Sequence, residues 1–591
     1  MKSFLKFTLA SVVGFLITGI ILIFITIGII GGLVASSTDK SVSIKTKTIL
    51  KINLSNGVTE RTSQNPLEDM NFQTLKTNTK IGLNDILKNL KKAKNDDNIK
   101  GIYINNTGIG AGLGTIEEIR NALIDFKTSG KFIISYSDVY TQGSYYLSTV
   151  SDQIYLNPEG FVDFKGLSSQ LLFFKDALDK IGIEPVIIRG KNNKFKSAVE
   201  PFMYNHISEA NKLQTLTYMG SLWNHILKGI SKTRKISIDK LNIYADSMLI
   251  NNARNAVKYK LVDDLKYYDE ILTILKEKSE TDESDDINFM SMSSYTNTPN
   301  ASTGKGLIKE KIAVVYANGE INMGTGSEKE IGSKGLSKAI RKARLDTNIK
   351  AVVLRINSPG GSALASEVIW REVMLTKKVK PLIVSMGNVA ASGGYYIAAP
   401  ADRIFANPVT ITGSIGVFGI LWNTQNVMKK IGINSDAVNT NAHSDLGNMS
   451  RTMTEAEYAT IQNSVEDIYD VFLGHVAEGR NMKKEDVDKI GQGRVWSGEN
   501  AKEIGLVDEF GGLVDAIKYA KEMAKLEDYR IVELPKQEDP IEALMKDLGG
   551  NVKAYVLQEE LGASFKYYDR LNQLTKLKGV QARIPFILDI K

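Results

Sequence analysis

The chain repeats itself once. The stretch from Lys131, KFIISYSDVYTQGSYYLSTVSDQIYLNPEGFVDFKG, matches the stretch from Lys380, KPLIVSMGNVAASGGYYIAAPADRIFANPVTITGSIG. Each carries an apolar run, a patch of small residues, a Tyr-Tyr pair, a second apolar run and Asn-Pro. Lys180-Ile181-Gly182-Ile183 returns as Lys430-Ile431-Gly432-Ile433, and NDDNIKGIYIN from Asn95 returns as LDTNIKAVVLRIN from Leu345. The period is about 250 residues. Solenoid repeats are far shorter, about 20–50 residues. The chain therefore reads as a duplicated globular domain.

Within each copy, short apolar runs alternate with helical spacing. In the second copy Ile312–Ala317, Ala351–Ile356 and Pro381–Met386 read as buried strands. Leu336–Leu345 and Ala363–Thr376 read as helices between them. That alternation predicts an α/β fold with a largely parallel sheet in each copy.

The N-terminus is uncharged from Phe7 to Ala35. About 20 apolar residues suffice to cross a bilayer as a helix, whereas a cleavable signal has an apolar core of about 7–15. The run is expected to be an uncleaved transmembrane anchor. Lys2 and Lys6 favour a cytoplasmic N-terminus, although Lys40, Lys45, Lys47 and Lys51 follow on the other side. The expected layout is 1–6 short cytoplasmic end, 7–35 anchor, 45–276 first copy, 277–305 exposed polar linker, 306–538 second copy and 539–591 helical extension.

Composition removes several chemistries. There is no cysteine, hence no disulfide, thiolate metal site or cysteine nucleophile. The net charge of +7 is spread along a chain of interleaved acids and bases, without a basic stripe, so no nucleic acid partner is expected. HExxH is absent, which argues against a zinc peptidase. The four histidines, His206, His225, His443 and His475, lie outside glycine-rich loops. His443 is the one most worth testing for a serine–histidine arrangement.

Four segments carry the chemistry. Ala390-Ala391-Ser392-Gly393-Gly394-Tyr395 places a hydroxyl among small residues, where a substrate carbonyl can approach to about 3 Å. Ser392 follows a strand and opens a helix, whose first amides are unpaired and favour developing negative charge. Ser358-Pro359-Gly360-Gly361 follows another strand and can turn amides outward, as an oxyanion hole requires. Thr412-Gly413-Ser414-Ile415-Gly416 holds a second hydroxyl on a glycine-flanked loop. In the first copy, Lys191, Lys194 and Lys196 crowd the segment KNNKFKSAVE. A lysine acts as a base only when burial lowers its pKa by several units. Sequence does not say which of the three is buried.

Together these segments resemble signal peptide peptidase A, the protease IV family, in its long duplicated bacterial form. SPGGS, AASGGY, TGSIG and KSAVEP occur here in the family's order and positions, with RVWSGENAKEIGLVDEFGG from Arg494 in support. The resemblance implies Clp protease/crotonase-like copies. It implies Ser392 as nucleophile, Lys196 as general base and Ser414 as the hydroxyl that orients the lysine. Gly360, Gly361 and the Ser392 amide would form the oxyanion hole, with no metal or cofactor. It further implies a homo-oligomer, commonly a tetramer, whose body lies outside the bacterial cytoplasmic membrane. Its substrates would be signal peptides left after export and similar apolar peptides. A crotonase-like acyl-thioester enzyme and a decayed membrane scaffold are the competing readings.

The duplication adds its own constraint. Gln142 in the first copy aligns with Ser392 in the second. The second-copy counterpart of KSAVEP falls near Leu446, in HSDLGNMS, and has no lysine. One copy keeps the base and the other the nucleophile, so a complete site is expected only where they meet.

Overall fold

In the computed structural model, residues 43–64, 80–299, 308–537 and 579–584 are described, with shorter pieces at most of 4–21 and at 28, 70–71 and 76–77. The first copy forms a six-stranded sheet in the order Asp264–Leu265, Gln153–Val162, Phe132–Tyr140, Ile99–Ile104, Thr48–Ile52, Phe289–Ser291. All neighbours are parallel. The second copy repeats this order from Leu382–Ala391 through Ile349–Ser358 and Lys311–Asn318 to Arg530–Leu534, again parallel. The central strands are runs of Ile, Val and Leu, as expected where both faces of a sheet are covered. All five strands and helices expected in the second copy form, each within a few residues of its expected bounds.

Equivalent side chains do equivalent work. Lys131 Nζ donates to the carbonyls of Ala93 and Asp96, as Lys380 Nζ does to those of Ala343 and Asp346. Tyr145 donates to Leu261 O at 2.7 Å, and Tyr395 to Leu506 O at 2.8 Å. These bonds tie helix ends and the Tyr-Tyr helix to the same places in both copies.

Two expectations need correction. The stretch 277–305 is not simply an exposed linker. Its described part continues a helix to Ser279, then adds the strand Phe289–Ser291 to the edge of the first sheet. Met292 and Tyr295 of the next short helix are buried against that copy. The polar string hides these few apolar anchors, and a strand edge accepts almost any backbone. The extension 539–591 was expected to be helical, yet its described part, Gly579–Arg583, is a strand. It pairs on both sides, and that pairing outweighs weak local helix preference. The rest of 539–591 lies outside the described residues.

Residues 10–21 are helical and mostly exposed. Much of the apolar run 7–35 lies outside the described residues. Among the described residues no helix is long and apolar enough to cross a membrane.

The copies are packed together, not strung apart. Leu513, Ala516, Ile517 and Ala520 of the second copy's last long helix share one buried cluster with that copy's Ile312, Val314, Val353 and Ile383 and with the core of the first copy. Arg355, fully buried at the second sheet, donates to Glu60 at 2.8 Å and lies 2.7 Å from Glu118, both from the first copy. Glu118 also accepts from Leu513 N at 2.8 Å. A first-copy strand, Glu184–Arg189, pairs antiparallel with Phe418–Asn423 of the second over six residues. That crossing strand delivers the KSAVEP segment to the other copy.

Candidate active site

Ser392 stands between the strand Leu382–Ala391 and the helix Gly393–Ala398. Its backbone is strained, with φ of 54° and ψ of −113°. Such a non-glycine conformation costs about 1–3 kcal/mol and persists only when surroundings enforce it. Here Ser392 N donates to Gly413 O at 2.8 Å and Tyr396 N donates back to Ser392 O at 2.8 Å.

Lys196 comes from the first copy and is fully buried. Its Nζ lies 2.8 Å from Ser392 Oγ and 3.0 Å from Ser414 Oγ, and donates to Ser414 O at 3.1 Å. Burial holds its pKa well below the ordinary lysine value. Of the three clustered lysines, Lys191 and Lys194 are exposed; the structure singles out Lys196. A neutral amine so placed can take a proton from a hydroxyl.

The segment around Lys196 is fixed by contacts sequence reasoning did not reach. Phe195 N donates to Gln492 O at 2.9 Å, and Asn193 Nδ2 to Val417 O at 2.8 Å. Gln214, buried on the long helix Glu209–Arg234, donates to Phe195 O and Ser197 Oγ and accepts from Val495 N. Gly493, at φ 77°, packs so closely that a Cβ there would lie 2.5 Å from Lys196 Cβ. The small-residue string Gly491-Gln492-Gly493 offered a signal. Gln214 offered none, being one polar residue in a helix.

The expected oxyanion donors are only partly available. The Ser392 amide is engaged by Gly413 O, because the strained backbone turns it toward the neighbouring strand. The Gly360 amide donates to Ser358 Oγ at 3.2 Å. The amide of Gly393 opens its helix, where no intrahelical acceptor exists. It faces Gly360, whose Cβ would lie 2.8 Å from Gly393 N. Gly361, with φ of 157°, pairs with Ile321 on the adjoining strand.

The other aligned positions behave as the duplication implies. Gln142 opens the helix matching Gly393–Ala398, and its amide group bridges to Gly166 O, Gly166 N and Lys165 N. Leu446 lies in an exposed segment where Arg451 pairs with Asp445 and Glu457. Among the described residues no histidine contacts Ser392. His443 sits 3.3 Å from Glu457, His475 3.0 Å from Glu367, and His225 3.3 Å from Glu117.

The Peptidase family S49 model matches twice, at residues 125–282 and 374–527. Protease 4 of Salmonella typhi is 36% identical over 80% of this chain and 76% of its own length. Protease 4 of Haemophilus influenzae is 36% identical over 83% and 81% respectively. The chloroplastic serine protease SPPA of Arabidopsis thaliana is 32% identical over 86% and 75%. With two S49 repeats and relatives matched across most of its length, the chain belongs to peptidase family S49, as a serine-type peptidase of the protease IV, or signal peptide peptidase A, kind.

Proposed function

We propose that this peptidase works through a Ser392–Lys196 dyad assembled from both copies. One observation carries the reading: a fully buried lysine with a lowered pKa lies 2.8 Å from a hydroxyl held in a strained turn. Neutral Lys196 takes the proton as Ser392 Oγ attacks the peptide carbonyl. Ser414 fixes the amine through its hydroxyl and carbonyl, the orienting part that an aspartate plays for histidine. The amide of Gly393 at the start of its helix holds the oxyanion, in place of the engaged Gly360 and Ser392 amides. Lys196 then protonates the leaving amine, and water hydrolyses the acyl-enzyme.

The substrates are apolar peptides, among them signal peptides left after export. The uncharged run Phe7–Ala35 supports an anchor in the cytoplasmic membrane, with the catalytic body outside the cytoplasm. The assembly is a homo-oligomer, a tetramer on the family's pattern.

The test is cleavage of an apolar peptide by Ser392→Ala and Lys196→Ala. Each should fall by at least about 1,000-fold, as when one member of a catalytic unit is removed, with the folded assembly intact. Substantial turnover by either variant refutes the dyad.

A further inference from the structure

The long helix Glu209–Arg234 of the first copy packs on the edge strand Val495–Ser497 of the second. It meets that copy through one polar side chain every seven residues, which is two turns and therefore one face. Gln214 accepts from Val495 N at 3.1 Å, Ser221 Oγ lies 2.8 Å from Ser497 Oγ, and Lys228 donates to Glu499 at 2.9 Å. Lys228 is exposed, whereas Gln214 is fully buried. Burying an amide group is costly unless its polar atoms are bonded.

The partners of Gln214 belong to both halves of the site. Its Nε2 donates to Phe195 O at 3.0 Å and to Ser197 Oγ at 2.8 Å, on the residues either side of Lys196. Val495, on its other side, stands opposite Gly413, whose carbonyl accepts from Ser392 N. Arg494 O, one residue back, accepts from Ser414 N at 2.6 Å. One side chain thus bonds the loop of the base to the strand that holds Gly413 and Ser414. Nε2 also lies 3.1 Å from Asn211 Oδ1, and Asn211 donates in turn to the buried Glu200 at 2.9 Å.

The duplication supplies a second, independent observation. The matching helix of the second copy, Glu455–Arg480, is also 26 residues long and opens on Thr454 where the first opens on Ser208. Position by position, Gln214 falls opposite Thr460, which is exposed and donates to Ala456 O of its own helix. The copy without the lysine has no buried amide at this place.

We propose that Gln214 is the positioning residue of the general base: it ties the chain on either side of Lys196 to the strand behind Ser392 and Ser414, and so sets Nζ within reach of Ser392 Oγ. The inference rests on the Ser392–Lys196 reading. Nζ faces Ser392 Oγ, Ser414 Oγ and Ser414 O, with Gly416 and Gly493 packed on the lysine stem. Charged groups around the loop are turned elsewhere: Glu200 to Ser208 and Asn211, Lys191 to Glu466, Lys194 and Arg494 over the Phe195 ring. Burial is what lowers the Lys196 pKa. A loosened loop admits water, and the pKa then climbs back toward the ordinary lysine value.

The test uses the full chain in detergent, a fluorogenic apolar peptide and Gln214→Met, which keeps the side chain's length and removes its polar atoms. Its kcat should fall about 30- to 100-fold, the order that a displacement of about 1 Å brings, with KM within about twofold. The pH midpoint of the rate should rise by about one unit. Should Gln214→Met not fold, Gln214→Asn replaces it: both polar groups remain, one methylene short of their partners, and kcat should fall about 10-fold with the same upward midpoint. An unaltered kcat or an unmoved midpoint in the folded variant overturns the inference and leaves the dyad standing, even where the melting temperature drops. Turnover by Ser392→Ala overturns the dyad reading, and this inference with it.

Discussion

Lys196 Nζ lies 2.8 Å from Ser392 Oγ, although the two residues are 196 positions apart and belong to different copies of the duplicated domain. Neither copy holds both groups. The interface that brings them together is therefore as much a part of the site as the side chains themselves.

Burial lowers the Lys196 pKa in the folded chain below its unfolded value of about 10.5. The rate should rise about tenfold per pH unit below the folded pKa and level off above it. A rate still climbing tenfold per unit at about pH 10, as an unshifted lysine would give, would contradict this.

The same shift bears on stability. Between the folded and unfolded pKa values, the unfolded chain binds a proton at Lys196 that the folded chain lacks. This lysine therefore makes stability rise with pH across that window. Lys196→Met removes the burial cost, and should raise the unfolding midpoint more at about pH 6 than at about pH 10. Thermal melts at the two pH values check the sign.

Ser414→Ala deletes one of the two Ser414 groups that meet Lys196 Nζ and leaves the carbonyl. A buried polar group losing a partner costs about 1–3 kcal/mol. The expected fall in kcat is about 10- to 100-fold, with KM for an apolar peptide little changed. An unaltered kcat would remove Ser414 from the mechanism.

Gly493→Ala tests the packing behind the lysine. The new Cβ would lie 2.5 Å from Lys196 Cβ and 2.7 Å from its Cα, at a φ of 77° that alanine disfavours. The Lys196 loop must move. A displacement of about 1 Å can cost about 100-fold in rate, so activity should drop by that order while the far-ultraviolet spectrum is retained.

Arg355→Met leaves Glu60 and Glu118 buried without their shared counter-charge. Breaking such a group destabilises by about 3–5 kcal/mol. Urea unfolding followed by tryptophan fluorescence should show that loss, and peptide cleavage should weaken with it as the two copies loosen.

Much of this was legible in the sequence. The repeated strings and alternating apolar runs determined two α/β copies, because strand and helix periodicities are local and each copy supplies its own. AASGGY and TGSIG marked Ser392 and Ser414 for a similar reason: small residues around a hydroxyl are a local requirement. The complementary gaps at Gln142 and near Leu446 foretold a site shared between copies. Tertiary structure alone decided the rest. Which of Lys191, Lys194 and Lys196 is buried depends on Gln214 of the same copy and on Gln492 and Gly493 across the interface. Which amides face the site depends on the strained turn at Ser392, which spends its own N–H on Gly413. That a segment expected to be helical lies as the strand Gly579–Arg583 follows from two open sheet edges in the second copy. Hydrogen-bonding demand at those edges is a property of the folded site, and no local pattern in the C-terminal residues records it.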